Sequence, residues 1–142
     1  MPAKEILINK INEGNNTVFR ELYGNDSNEL KRHAERYIRL LNKFENVYGG
    51  KADLEFFTSP GRTEIGGNHT DHNWGRVLAG AVNLDNVSVA ARNNSNVIRI
   101  FSEGYPKFEV NLSSLKPEAN ENYTSAALVR GICARFKELG YN

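Results

Sequence analysis

The sequence predicts an α+β fold in which a helical N-terminal segment precedes a mainly antiparallel sheet packed with helices. Three observations support this: apolar residues recur at helical spacing before residue 50, then alternate as in strands, and return to helical spacing near the end of the chain. Separate runs of helices and strands are typical of α+β folds. We therefore divide the chain into a helical extension, residues 1–50, and a sheet-containing part, residues 51–142.

The first two predicted helices are short. Ile6, Leu7 and Ile11 give the first helix an apolar face, which Gly14 ends. Thr17 follows as a possible cap of a second helix, which runs to the next glycine of the chain at position 24. Together with a third, longer helix, they make the first 48 residues helical.

The third predicted helix is amphipathic and begins with a capping box, Asp26 with Glu29 three residues later. Gly49-Gly50 ends it. Its apolar positions are Leu30, Ala34, Tyr37, Ile38, Leu41, Phe44 and Tyr48. We expect this face to cover the core of the sheet, and the alternative is a surface for a second copy or another partner.

Five strands and one helix are predicted after residue 53. The strands are Leu54–Thr58, Val77–Leu84, Val87–Arg92, Val97–Ser102 and Lys107–Leu112, separated by turns rich in Asn, Gly and Pro. The final helix, about Thr124 to Leu139, has Leu128, Ile132, Cys133 and Phe136 on one side. This apolar side predicts that the helix packs on the sheet.

Composition excludes several classes of protein. The chain has 142 residues, enough for one domain, and its net charge of +1 gives no field that attracts nucleic acid or anionic membrane. The single cysteine, Cys133, excludes an internal disulfide framework and fits a reducing compartment. The N-terminus lacks a signal peptide's apolar stretch, and no apolar run approaches the roughly 18 residues of a membrane span. These features predict a cytoplasmic protein.

The segment from Pro60 to Gly75 carries most of the chemical information. It contains one arginine, two histidines, two acids and four glycines. Glycine lets the backbone approach a ligand closely, while Arg, Asp, Asn and His supply hydrogen-bond donors and acceptors for a small polyhydroxylated molecule. Glu64 adds a carboxylate to the segment, although the sequence gives no geometric reason to place it in a site.

A metal site is the alternative interpretation of this segment. His69, Asp71 and His72 are residue types that bind zinc or iron. The pattern is weak, because no second cluster supplies further ligands and His33 stands alone on a predicted helix. We therefore expect no metal site here.

The segment also resembles the galactokinase signature of the GHMP small-molecule kinase superfamily, which reads roughly Gly-Arg, a few residues, Gly-Glu-His-Thr-Asp-Tyr-Asn, one residue, Gly. The matching residues are Gly61-Arg62, then Gly67-Asn68-His69-Thr70-Asp71-His72-Asn73, then Gly75, without a gap. Asn68 stands where the family pattern has glutamate, and His72 where it has tyrosine. The resemblance is nearly continuous from about Leu54 to Asn142, which implies that residues 51–142 are the first, incomplete part of a GHMP kinase N-terminal domain.

The resemblance implies a role for each motif residue. Arg62, expected at the end of the first strand, would lie beside the anomeric hydroxyl that receives the phosphoryl group and would stabilise the developing charge. Asp71 would hold the C3 and C4 hydroxyls of galactose, and His69 would reach the C6 hydroxyl. Asn68 and His72 complete the expected substrate-binding set.

The implied activity is that of a galactokinase, which uses ATP and Mg to phosphorylate galactose at its anomeric hydroxyl. The phosphate-binding loop and catalytic aspartate of the family are missing from this sequence, so the chain alone is expected to be inactive and to hold only the sugar-binding half. The alternatives are a non-catalytic galactose sensor and a related kinase acting on N-acetylgalactosamine or arabinose. The expected ligand is in each case a small sugar.

Overall fold

The structure, a computed structural model, describes residues 17–50, 53–67 and 69–141 together with positions 5 and 9. The predicted first helix, around Ile6 to Ile11, lies largely outside the described residues, as does the side chain of Asp71. The described part combines helices with two antiparallel ribbons. This arrangement confirms the predicted α+β class.

The two helices that precede the sheet begin and end close to the predicted positions. They are α1, Thr17–Tyr23, and α2, Ser27–Tyr48. The Asp26 carboxylate accepts hydrogen bonds from the backbone N–H groups of Asn28 and Glu29 at 2.9 and 3.0 Å, which confirms the predicted cap. The Glu29 carboxylate binds Arg32 at 2.7 Å instead of closing the box. Gly49 ends α2 with a φ of 79°, a conformation that favours glycine.

A long antiparallel ribbon follows, and it differs from the predicted strands. Its strands are β1, Leu54–Gly66, and β2, Leu78–Ala91. The prediction of two strands over Val77–Leu84 and Val87–Arg92 was wrong, because Asp85 and Asn86 pair with Pro60 and Ser59 within one continuous strand. The prediction that β1 ends at Thr58 was also wrong. The strand continues past Pro60 because the register shifts there, and a bulge tolerates proline.

The second ribbon and the last helix form the remainder of the described chain. They are β3, Val97–Ile100, β4, Phe108–Asn111, and α3, Ser125–Glu138. Both strands are shorter than predicted, whereas the helix has the predicted extent and is capped by the Thr124 hydroxyl, which accepts from the Ala127 N–H at 3.3 Å. Val110 of β4 is fully buried.

The predicted packing face of α3 was largely wrong. Leu128, Ile132 and Phe136 are 67%, 47% and 50% exposed, and only Cys133 of the predicted set is half-buried. The helix instead packs through small residues and one arginine. The buried or half-buried positions of the helix are Ala126, Ala127, Val129, Arg130, Cys133 and Ala134.

Arg130 occupies the most buried position of α3, at 4% exposure. Its Nε and Nη2 donate to the two carboxylate oxygens of Glu121 at 2.7 and 2.6 Å, and its Nη1 donates to the Ser114 carbonyl at 2.6 Å. The hydrogen bonds from Arg130 hold the pKa of the Glu121 carboxyl below its usual range. Because its donors are satisfied, the guanidinium can replace an apolar residue here.

The chain divides into two compact units, one ending at Arg92 and the other beginning at Asn93. In the first, α2 packs on β2, so the helices before the sheet and the long ribbon share a core. Phe19 and Tyr37 form its centre, with Phe56 and Val87 packed against them. The division at residue 50 separates a helical extension from the part that resembles a kinase domain, which is a different question from how the chain packs. It stays a prediction.

Asp85 connects four elements of the first unit. Its carboxylate accepts hydrogen bonds from the Tyr23 hydroxyl of α1 and the Thr58 hydroxyl of β1, each at 2.6 Å. Arg36 of α2 pairs with the same carboxylate and also donates to the Asp85 carbonyl at 2.7 Å. The Asp85 side chain is 9% exposed. It therefore ties both helices to both strands, and we call these four residues the Asp85 cluster.

The cluster changes the ionisation of its members. Burial by itself raises the pKa of Asp85, but hydrogen bonds from Arg36, Thr58 and Tyr23 outweigh it and hold this pKa well below the usual range. Burial and the bond to Asp85 both raise the pKa of Tyr23. Asp85 is thus an anion in the folded chain at any pH near neutral.

Replacing Asp85 by asparagine should lower the free energy of unfolding at pH 7 by about 3 kcal/mol, because Arg36 then lacks its buried counter-ion. In the wild type this stabilisation is complete above the pKa of an unfolded aspartate, about 3.9, and is lost as the pH falls below it. The difference between wild type and Asp85→Asn should therefore narrow below pH ~4. Denaturant unfolding at a series of pH values measures both effects.

Asp53→Asn is the matched control, because Asp53 is exposed and lies just before β1. It should change stability by less than about 0.5 kcal/mol. Equal stabilities of Asp85→Asn and Asp53→Asn at pH 7 would show that the Asp85 cluster does not hold the unit together.

Candidate functional site

The polar segment singled out from the sequence lies at the end of the long ribbon where β1 turns into β2. Arg62 is inside β1, paired with Ala81, and the prediction that it ends the first strand was wrong. Glu64 is two residues further along the same strand, paired with Ala79. Side chains two residues apart in a strand leave the same face, so Arg62 and Glu64 share one side of the ribbon.

Two irregularities in the pairing frame these residues. The register shifts between Pro60 and Arg62 and again between Glu64 and Gly66. At the first shift, a Cβ on Gly61 would stand 3.1 Å from the Leu84 carbonyl oxygen, so the strands approach closely at this glycine. Bulges of this kind bend a strand and redirect its side chains. The side chains of residues 62–64, which lie between the two shifts, can therefore point in a direction different from that expected in a regular strand.

Glycines set the path of the loop that joins β1 and β2. Gly67 has a φ of 102°, and a Cβ there would lie 2.7 Å from the Cα of Val77. A Cβ on Gly75 would lie 2.7 Å from the carbonyl oxygen of Thr70. That carbonyl accepts hydrogen bonds from the N–H groups of Asn73 and Gly75 at 3.0 and 2.8 Å. The loop is closed too tightly for a side chain at either glycine.

His69 is held in this loop by Glu64. Its backbone N–H donates to Glu64 Oε1 at 2.8 Å, and its Nε2 lies 3.6 Å from Glu64 Oε2. The φ of His69 is 59°, which is uncommon for a residue with a side chain. The imidazole is 71% exposed. Sequence reasoning did not assign Glu64 a role, because the strand that carries it was predicted to end at Thr58.

The remaining motif residues lie on a short 3-10 turn, Asp71–Asn73. The Asn73 side-chain amide donates to His72 Nε2 at 3.1 Å, and His72 is exposed. Trp74 follows with full exposure, so it is not a packing residue. Asn68 and the side chain of Asp71 lie outside the described part. The structure thus brings Arg62, His69 and His72 to the same end of the ribbon. The roles of these three and of Asn68 and Asp71 stay predictions.

Two kinds of feature are missing from the residues that the structure describes. No three side chains of His, Cys, Asp and Glu type come together there in a way that could hold a metal ion. A metal site would also need Asp71, whose side chain is not described, so the expectation of no metal site stays a prediction. In the same residues, no helix has both the length and the apolar character needed to cross a membrane.

Comparison with known proteins connects this geometry to one family. Residues 42–92 match the family model described as the galactokinase galactose-binding signature. A galactokinase from Streptococcus thermophilus is 36% identical over 106 residues, which are 72% of this chain and 26% of the relative. One from Lactococcus lactis subsp. cremoris is 30% identical over 105 residues, with the same two shares, 72% and 26%. The chain therefore spans about a quarter of the length of these relatives.

A solved structure agrees with these relatives. The crystal structure of Lactococcus lactis galactokinase complexed with galactose matches with a TM-score of 0.65 and 27% identity. The match covers 75% of this chain and 28% of that one. The α+β arrangement described above is thus also found in the N-terminal region of a galactokinase.

The loop glycines give a testable prediction. Gly67 and Gly24 both have positive φ, 102° and 81°, but only Gly67 has backbone atoms where a Cβ would stand. Gly24→Ala should cost about 1 kcal/mol of unfolding free energy, from backbone strain alone. Gly67→Ala should cost about 1 to 3 kcal/mol more, because the two ends of the loop must move apart. Denaturant unfolding of the two variants compares them directly, and equal costs would contradict the tight loop.

Proposed function

We infer that this chain, which carries the galactokinase galactose-binding signature, is the sugar-binding part of a galactokinase that phosphorylates galactose at its anomeric hydroxyl. The observation that carries this proposal is the match of residues 42–92 together with the exposed polar groups at the end of the long ribbon. Arg62 and His69 reach this end from two elements of the chain, a strand and a loop. We propose that one small ligand contacts both.

The proposed chemistry follows from these groups. A guanidinium at Arg62 can donate to a sugar hydroxyl or a phosphate and stabilise negative charge on the attacking oxygen. A carboxylate at Asp71 can accept from two neighbouring hydroxyls, which selects one stereochemistry, since an epimer would leave the carboxylate unpaired. His69 is proposed to contact the C6 hydroxyl, and Asn68 and His72 to complete the sugar site.

Phosphoryl transfer itself needs parts that we do not assign to this chain. A galactokinase binds ATP and Mg, which supply the phosphoryl group and neutralise its charge. The sequence offers no phosphate-binding loop and no catalytic aspartate. We therefore propose that residues 51–142 are the first part of a kinase N-terminal domain, and that the transfer reaction needs a longer protein.

A related sugar kinase is the second candidate. Asn68 and His72 replace the glutamate and tyrosine of the family pattern, and both positions belong to the proposed sugar site. These changes affect the proposed contact with the C6 region, so a kinase for a related sugar such as arabinose or N-acetylgalactosamine is kept as the second candidate. A galactose sensor shares the same binding site and differs only in lacking transfer activity. For each of these the proposed location is the cytoplasm.

Galactose should change the fluorescence of this chain. Trp74, its only tryptophan, is fully exposed and lies three residues from Asp71, so a sugar held by the loop changes its surroundings. A titration followed by tryptophan emission should give a saturable shift with galactose and none with glucose. Asp71→Ala is the control variant and should abolish the shift. A response to glucose as large as that to galactose would contradict the proposed selectivity.

The chain alone should not phosphorylate galactose. The expected result with pure protein, Mg and ATP is no galactose 1-phosphate above the background without protein, because the chain has no phosphate-binding loop. Detection by mass spectrometry after long incubation makes the assay sensitive to small amounts of galactose 1-phosphate. ATP-dependent product that disappears in Arg62→Ala would overturn the division into a sugar-binding part and a phosphate-binding part.

A further inference from the structure

We propose that Glu64 is a positioning residue of the sugar site, which holds His69 in the orientation that meets the primary hydroxyl of the sugar. This inference rests on the proposed function and adds to it a residue with no assigned role. We propose that Glu64 thereby controls how well the site discriminates between a hexose and its 6-deoxy analogue.

The two contacts between Glu64 and His69 have different functions. One carboxylate oxygen accepts from the backbone N–H of His69 at 2.8 Å, and the other lies 3.6 Å from its Nε2. The first contact is a hydrogen bond that fixes the main chain, whereas the second is longer than a hydrogen bond and places the imidazole beside the carboxylate. One carboxylate thereby holds the backbone of His69 and lies beside its ring.

The backbone of His69 needs such support. Its φ of 59° is a left-handed conformation, which is unfavourable for a residue with a Cβ. A hydrogen bond from its N–H to an anion offsets this cost, because charge-assisted bonds are stronger than neutral ones. The conformation of His69 therefore depends on a carboxylate outside the loop.

Glu64 is well placed for this task. It belongs to β1, and its side chain is only 22% exposed, against 71% for that of His69. Its strand position is fixed by pairing with Ala79, just before the register shift that leads into the loop. A group anchored in a strand is a more rigid support than a loop residue. Glu64 also leaves the same face of the strand as Arg62, which orients both residues to one side.

The distribution of acids in the sequence agrees with this role. The family pattern has its glutamate at the position of Asn68, directly before His69, whereas this chain has asparagine there. Glu64 provides a carboxylate four residues earlier, and the turn of the chain returns it to His69. The loop thus keeps an anion beside the histidine although the position before it is neutral.

The first test needs no sugar. The amide hydrogen of His69 should exchange slowly with solvent in the wild type, at least about ten-fold more slowly than in Glu64→Ala, because its acceptor is a charged carboxylate. Glu64→Gln keeps an oxygen acceptor and should lie between the two. Glu55→Gln, an exposed glutamate of the same strand, is the control and should match the wild type. Equal exchange in wild type and Glu64→Ala would overturn the proposal.

The second test compares galactose with 6-deoxygalactose by NMR titration of the same proteins. Glu64→Gln should weaken galactose binding by about ten-fold and leave 6-deoxygalactose binding unchanged, because only galactose has the hydroxyl that His69 meets. General unfolding would weaken the binding of both sugars. It therefore cannot explain a variant that no longer distinguishes galactose from 6-deoxygalactose but still binds 6-deoxygalactose normally. Equal weakening of both sugars, or no change in either, would contradict the role in specificity.

A double variant separates positioning from direct contact. His69→Ala should abolish the discrimination, and adding Glu64→Gln should then have no further effect, because Glu64 acts through His69. A further loss in the double variant would overturn the positioning role. If the wild-type chain binds neither sugar, the proposed function and the role in specificity fail together for this chain. The amide exchange still decides whether Glu64 holds His69.

Discussion

The first unit of this protein depends on one anion whose side chain is only 9% exposed. Asp85 stands on β2, and it meets Tyr23 of α1, Arg36 of α2 and Thr58 of β1 within one cluster. An isolated buried carboxylate is costly, and this one is stable because each partner donates a hydrogen bond to it. The helices before the sheet are thereby fastened to the ribbon.

Asp85 also lies next to the first register shift of the ribbon. Asp85 pairs with Pro60, and the first register shift follows directly, before Arg62. The strand segment with Arg62 and Glu64 begins at this fixed point and ends at the loop that Gly67 and Gly75 close. Polar groups that face solvent are thus supported by a rigid base, which limits the ordering cost of binding a small ligand.

Sequence alone predicted α1, α2 and α3, the Asp26 cap, the α+β class and the motif, because these depend on local spacing and capping. It did not predict the length of the ribbon, since Asp85 and Asn86 are typical turn residues, whereas the contacts that Asp85 makes within the strand are with residues distant in sequence. Burial of Arg130 was missed for a similar reason, because its partners Glu121 and Ser114 are distant in sequence. The contact between Glu64 and His69 likewise depends on the path of the loop.

The most direct measurement is a galactose titration of the isotope-labelled chain that records every backbone amide by NMR. We expect saturable shifts at residues 62–66 and 69–75, the end of the long ribbon, and none with glucose at the same concentrations. Shifts around Asp85 should be no more than small, since that cluster supports the site without touching the sugar. Saturable shifts confined to other parts of the chain, or none at saturating galactose, would contradict the claim that this ribbon end is the sugar site.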